Sequence, residues 1–266
     1  MQQFDNISAA LLFCLFFIEF ILILLHRPGR NLVRDIGANL VLGVCIIIVG
    51  VFAKAASFTV FSFVYAFKII SPDPSLWLWI AAFFCCDFIH YGYHWLGHKT
   101  KLFWAAHVTH HSSEYFNLST GLRTNFIHLF YRFIFWSPLC LFGVTPEMIL
   151  FFESISAIQN FLVHTEKIGK PGVPDWMFNT PSNHRVHHTT NPEYIDKNLG
   201  GILMIYDHLF GTYAKELAPP VYGITHNIHS FDPVKILLHE YASLLKALST
   251  MKRFSLKCRF LFSRPE

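Results

Sequence analysis

Residues 94–111 read HWLGHKTKLFWAAHVTHH and carry His94, His98, His107, His110 and His111. Far downstream, His184, His187 and His188 repeat the H-x-x-H-H spacing. On a helix, residues three and four apart share a face. His94 and His98 are then neighbours, and so are His107, His110 and His111. Imidazole nitrogen suits iron, zinc, copper and nickel. Eight such rings exceed the needs of one mononuclear site and fit two metal ions a few ångströms apart. The fold must therefore bring two distant segments together.

The surroundings of these boxes are apolar. Of 266 residues, 53% are hydrophobic and 14% charged, and 29 are phenylalanine. A soluble domain carries about 25% charged residues, so this is the composition of a membrane protein. The net charge is +4, with basic residues gathered in a few loops and near the C-terminus, where they orient a membrane protein. No aromatic–basic nucleic-acid motif appears, and no nucleic-acid partner is expected. Cys14, Cys45, Cys85, Cys86, Cys140 and Cys258 form no C-x-x-C. They read as small buried hydrophobes, not as a disulfide framework or thiolate site.

Taken in order, residues 7–25 are long enough to span about 30 Å of hydrocarbon, with Glu19 inside. His26, Arg27, Arg30 and Arg34 follow and place that loop in the cytoplasm. Residues 36–53 return. The short run 58–70 is expected as an interfacial or re-entrant piece, before the break SPDP at 71–74. Residues 75–96 then cross back and deliver His94 and His98 to the cytoplasmic face, beside Lys99 and Lys101. The runs 126–142 and 147–163 are expected as a helical hairpin ending at His164. Pro-, Gly- and Asn-rich residues 171–213 are expected as short helices and loops over the site. Residues 233–249 have helical apolar spacing and lead into a basic tail, which suits an anionic membrane surface.

The expected fold is an all-α integral membrane protein, with four to five membrane-embedded helices and a cytoplasmic histidine-rich helical cap. Its units are 1–74 (N-terminal helices and interfacial segment), 75–232 (metal core) and 233–266 (amphipathic basic tail). The host membrane is the bacterial inner membrane or the endoplasmic reticulum, depending on source.

Further polar residues align with the boxes. Asp87, His90, Tyr91, His94 and His98 share one helical stripe, so Asp87 could orient a ligand histidine. Glu153, Asn160 and His164 repeat the seven-then-four spacing of Asp87, His94 and His98. His164 is expected as a ligand, and Asn160 as a weak ligand or a hydrogen-bonding neighbour. Glu114, Asp207 and His226 complete the supporting candidates. Other site types are missing: there is no H-E-x-x-H, no G-x-S-x-G, no phosphate loop and no G-x-G-x-x-G. A metal transporter would want polar residues along several spans, whereas here the donors gather at one end.

The three histidine boxes resemble the fatty acid hydroxylase/sterol desaturase superfamily of membrane diiron enzymes. HVTHHSSEYFNLSTGLR (107–123), HTE (164–166), NTPSNHRVHHTTNPEYIDKNLGGILMIYDHLFGTY (179–213) and VYGITH (221–226) are similar to its alkylglycerol monooxygenase branch. The resemblance runs from about residue 87 to 233. It implies two iron ions, dioxygen as oxidant, a membrane lipid substrate and an external electron donor. In that branch the substrate is an ether lipid and the donor tetrahydrobiopterin. Family ligands fall on His94, His98, His107, His110, His111, His184, His187 and His188, with His164 joining them. Two departures stand out: Asn183 where relatives carry histidine, and Lys99 where the ether-cleaving relatives carry an acid. The expected activity is hydroxylation of an alkyl C–H of a lipid, with the metal supplying the reactivity and no catalytic side chain beyond its ligands. A fatty acyl, sterol or carotenoid hydroxylase or desaturase with an NAD(P)H-linked donor is the alternative enzyme. A metal-binding membrane protein without turnover is the alternative of another class. Zinc can occupy such sites in purified protein.

Overall fold

The computed structural model describes residues 2–265, with side chains at residue 12 and from residue 14 onward. Met1 and Glu266, the outer ends of the expected first and last units, lie outside the described residues. The chain is helical. Among the described residues there is no strand, only isolated bridges of Phe178 with Leu203 and of Thr189 with Tyr222.

Three long helices come first: α1 (Gln2–Leu25), α2 (Arg30–Tyr65) and α3 (Leu76–Lys99). By length and apolarity, α2 and α3 are able to cross a membrane. Val44, Ile47, Ile48, Val51 and Phe52 form an exposed apolar stretch on α2. The run 58–70 is not a separate piece, contrary to expectation. It continues α2 as far as Tyr65, because no Pro or Gly interrupts the chain between residues 51 and 70. Ala53, Ser57 and Phe61, four residues apart, keep one face of this extension buried.

Thr100 makes the corner that shapes the site. It closes α3 by donating its hydroxyl to Leu96 O at 2.9 Å, and its oxygen caps Phe103 N–H at the start of α4 (Lys101–His111). After 3-10 turns at Leu118–Leu122 and Phe126–Phe130 come α5 (Phe133–Leu141) and α6 (Pro146–Leu162). The first limb of the expected hairpin is thus shorter than the apolar run 126–142. Asn125 Oδ1 caps Ile127 N–H at 3.0 Å and holds a 3-10 turn, and α5 itself contains Pro138, which lacks an N–H. At the hairpin bend, Ile69 N–H donates to Leu141 O at 2.7 Å. The bend and the α2–α3 break therefore lie at the same end. Phe61, Cys86, Trp136, Cys140, Met148 and Ile149 form the core where α2, α3, α5 and α6 meet.

Short helices α7 (Val173–Met177), α8 (Pro181–His187) and α9 (Ile205–Phe210) follow, as the broken composition suggested. The amphipathic α10 (Pro233–Thr250) buries Ile236 against Ala38 and Leu42 of α2. The basic tail contains one more helix, α11 (Phe254–Leu261). Ser263 O beyond it accepts Lys101 N–H at 2.9 Å and so ties the tail to the start of α4.

Candidate metal centre

Nine histidines gather at the C-terminal end of α3, along α4, after α6 and on α8. His94, His98, His107, His111 and His187 form one group, and His110, His164, His184 and His188 a second; within each, the ligand atoms lie within 4.8 Å of one another. The groups adjoin, with the His111 and His188 rings stacked at 4.4 Å. Each H-x-x-H-H box divides between them. His107 and His111 point into the first group while His110 reaches the second; His184 and His188 point into the second while His187 reaches the first. The helical angle explains this, since residues four apart align and the residue at i+3 is turned away from i+4 by one step of the helix.

The nitrogen spacing suits a metal. Nε2 of His107 is 2.9 Å from Nε2 of both His94 and His111. In the second group, Nε2 of His164 is 3.2 Å from those of His110 and His188 and 3.0 Å from that of His184. Metal–nitrogen bonds of about 2.0–2.1 Å place neighbouring donors roughly 2.9–3.4 Å apart at octahedral to tetrahedral angles.

The opposite ring nitrogens fix the tautomer. His94 Nδ1 donates to Leu199 O at 2.8 Å, His187 Nδ1 to Lys197 O at 3.0 Å, His110 Nδ1 to Arg123 O at 3.2 Å and His164 Nδ1 to Asn160 O. A carbonyl can only accept, so each of these rings turns a bare Nε2 inward. Nε2 of His98 and of His187 is buried with no hydrogen-bond partner among the described residues. Such inward-turned, unpartnered nitrogens suit metal ligation, and an all-imidazole set fits iron or zinc. His98 Nδ1 faces Asp196 Oδ1 at 3.4 Å, and Lys99 Nζ bonds the other oxygen of Asp196.

The supporting carbonyls are held in turn. Asp196 (φ 60°) and Asn198 (φ 54°) adopt the left-handed turn that Asp and Asn tolerate, and this coils residues 194–199 around the rings. Asp207 accepts Leu199 and Gly200 N–H, both at 2.7 Å, and Asp87 accepts Ile202 N–H at 2.9 Å and Leu203 N–H at 3.1 Å. Gly201 permits this approach, since a Cβ there would stand 2.7 Å from Asp87 Oδ1 and 2.9 Å from His90 Cδ2. On the other side, buried Arg123 donates from Nη1 to Asp35 at 3.1 Å and to Asn39 at 3.0 Å, and from Nε to Thr109 O at 3.1 Å.

Burial first, and neighbouring rings second, hold His107, His111, His164, His184, His187 and His188 well below the ordinary histidine range. Burial brings His110 down to about 4. Neutral imidazole, the ligating form, is therefore the resting state. Burial alone would raise Asp196, but the hydrogen bonds from His98 and Lys99 outweigh it and bring its carboxyl down to about 2.

A cavity of about 380 Å³ touches both groups through His94, His107, His110, His164 and His184. Its remaining wall is largely apolar, with Ile46, Phe103, Leu122, Leu129, Trp136 and Phe161 among the lining.

All nine histidines singled out from the sequence thus fall in the two groups; the supporting candidates scatter. Asp87 bonds backbone N–H groups rather than a ring, because the 200–203 loop packs on it. Glu153 is occupied by Arg132 Nη2 at 2.9 Å rather than by a histidine. His90 lies outside both groups, its ring 6.0 Å from that of His94, and lines the cavity with Asn160. Asp207 tethers the same loop as Asp87. Glu114 is exposed and bonds His229 at 3.1 Å, and His226 is exposed; neither reaches the site. Sequence reasoning missed Asp196, Arg123 and Arg132. The DKNLGG run at 196–201, with the turn-prone Asp196 and Asn198 ahead of a Gly pair, was the available signal for Asp196.

Residues 79–212, half of the chain, match the fatty acid hydroxylase family model. The chain belongs to the fatty acid hydroxylase family. Within that family, human alkylglycerol monooxygenase is 40% identical over 194 residues, which are 73% of this chain and 43% of the human one. The Danio rerio enzyme of the same name is 42% identical over 172 residues, 64% of this chain and 38% of that one. Ornithine lipid hydroxylase OlsE of Rhizobium tropici is 31% identical over 129 residues, 48% of this chain and 39% of that one. The chain thus spans less than half the length of these curated relatives. No solved structure matches it.

Proposed function

We propose that this fatty acid hydroxylase homologue is a membrane-embedded, iron-dependent monooxygenase that hydroxylates an alkyl C–H of a lipid with dioxygen. The observation that carries the reading is the pair of adjoining histidine groups opening on one largely apolar cavity. The five nitrogens of the first group and the four of the second would hold one iron each. Bound iron would activate dioxygen for insertion into an unactivated C–H bond, chemistry that no side chain here supplies.

The chain's own contribution is positional. Backbone carbonyls at Lys197, Leu199, Arg123 and Asn160 keep Nδ1 protonated and Nε2 free to bind. The apolar wall excludes water and takes an alkyl chain, which would enter from the bilayer. The second group has one donor fewer, and Asn160, one turn before His164, lines the cavity. With fewer protein donors, an iron held by the second group would keep more room for an exchangeable ligand.

The membrane arrangement belongs to the same proposal. α1, α2, α3 and the α5–α6 hairpin would be embedded, giving four to five helices. The histidine-rich cap would face the cytoplasm beside Arg27, Arg30, Arg34, Lys99 and Lys101. The names of the vertebrate relatives favour an alkyl ether of glycerol as substrate. The name of the rhizobial relative favours hydroxylation of an amino-acid-headed lipid as the second reading. Two electrons per turnover would come from tetrahydrobiopterin or an NAD(P)H-linked carrier.

The test pairs metal analysis with turnover. His187→Ala, in the first group, and His110→Ala, in the second, are each expected to lose bound iron and all product from alkylglycerol. Full turnover after either substitution would sink the assignment.

A further inference from the structure

The cavity wall carries a cation that the metal ligation leaves unused. Arg132 stands at the N-terminal end of α5 and donates from Nη2 to Glu153 Oε1 of α6 at 2.9 Å. Its guanidinium carbon lies 5.2 Å from the centre of the Trp136 ring. Its Nε is buried and has no hydrogen-bond partner among the described residues. Arg132 and Trp136 line the same cavity as His94, His110 and His184, and the Arg132 charge is near enough to bear on His90 and His128.

A guanidinium is costly to remove from water unless its N–H groups are met. The bond to Glu153 runs from one nitrogen only, and a hydrocarbon in the cavity would offer the others nothing. The geometry points to Arg132 as the residue that recognises an oxygen acceptor on the lipid, of ether, hydroxyl or carboxylate type, and so fixes which carbon lies beside the histidine groups. Glu153 holds one arm of the guanidinium and Trp136 its face, so the fork is oriented before a lipid arrives. The choice of carbon rests on the proposed oxidation; recognition of the oxygen does not.

Equilibrium binding separates these. The full chain in detergent micelles is titrated with radiolabelled hexadecylglycerol ether and, separately, with heptadecane. Arg132→Met is expected to weaken ether binding about tenfold, the loss fitting one charge-assisted hydrogen bond, and to leave heptadecane within about twofold. Arg132→Lys keeps the ion pair with Glu153, and with it the packing of α5 on α6, but loses the planar fork. It is expected to weaken the ether alone. Equal losses for both ligands, no loss for either, ether binding in Arg132→Lys equal to wild type, or binding of neither ligand by the wild type would each overturn the inference. If ether binding depends on Arg132 but the wild type turns over no lipid, the oxidation fails and the recognition stands. If both lipids are oxidised and Arg132 has no effect, the recognition fails and the oxidation stands.

Discussion

Asp196 shows how much of the centre depends on a residue outside it. Its two oxygens face His98 Nδ1 and Lys99 Nζ, so one carboxylate both aims a ring and neutralises the lysine beside it. Losing such a partner typically costs about 10–100-fold in metal affinity or activity. Asp196→Ala is therefore expected to weaken iron binding by that factor in a competition titration, with the helical content unchanged. Arg123 predicts a different outcome. It and Asp35 are buried together, their side chains 1% and 3% exposed, and removing one partner of such a pair costs about 3–5 kcal/mol. Arg123→Met should lower the unfolding temperature steeply, and Asp35→Leu in the same chain should restore part of the loss. At this scale the nine imidazoles were legible, because ligand spacing is written in side chains. Their outer partners were not: Lys197, Leu199 and Arg123 serve through backbone carbonyls, which carry no residue signature. Asp87 and Glu153 kept the expected helical stripe but bond what packs against them, a loop in one case and an arginine in the other.

Helices α3 and α4 bring the first two boxes to one place by sharing Thr100, and the 194–203 loop closes over them because Gly201 has no side chain. A Cβ at Gly201 would press on Asp87 and on the His90 ring, and crowding of this kind costs about 1–3 kcal/mol. Gly201→Ala should therefore lower thermal stability and also speed iron loss to a chelator, since the displaced loop carries the Leu199 carbonyl that holds His94. A change in stability alone would mean that the loop does not orient the ring. Apolar runs read from sequence located α2, α3 and α6. Where they misled, the cause lay in what a hydropathy run omits. Continuity through 53–58 depends on the absence of a breaker, and the shortness of α5 depends on the 3-10 turn that the Asn125 cap starts.

Across the whole molecule, the long helices, the α5–α6 hairpin and the short helices that follow it converge on one end, and the exposed apolar stretch of α2 lies beyond it. Glu19 of α1 accepts Leu118 N–H at 2.6 Å and the Thr165 hydroxyl at 2.5 Å. This polar anchor joins the first helix to the segments on either side of the second histidine group. The all-helical character and the clustering of donors at one end were visible from composition and spacing. The division of each box between two groups was not, because it requires knowing that α4 and α8 face each other across the centre. That division is what makes the site a candidate two-metal oxidase rather than a row of separate ligand sets. Its most direct test is the origin of the oxygen in the product. With isotopically labelled dioxygen, iron-loaded protein, alkylglycerol and tetrahydrobiopterin as the two-electron donor, mass spectrometry should find one labelled oxygen atom per product molecule from the wild type and no product from His187→Ala. Oxygen derived from water, or labelled product from the variant at the wild-type rate, would contradict the account.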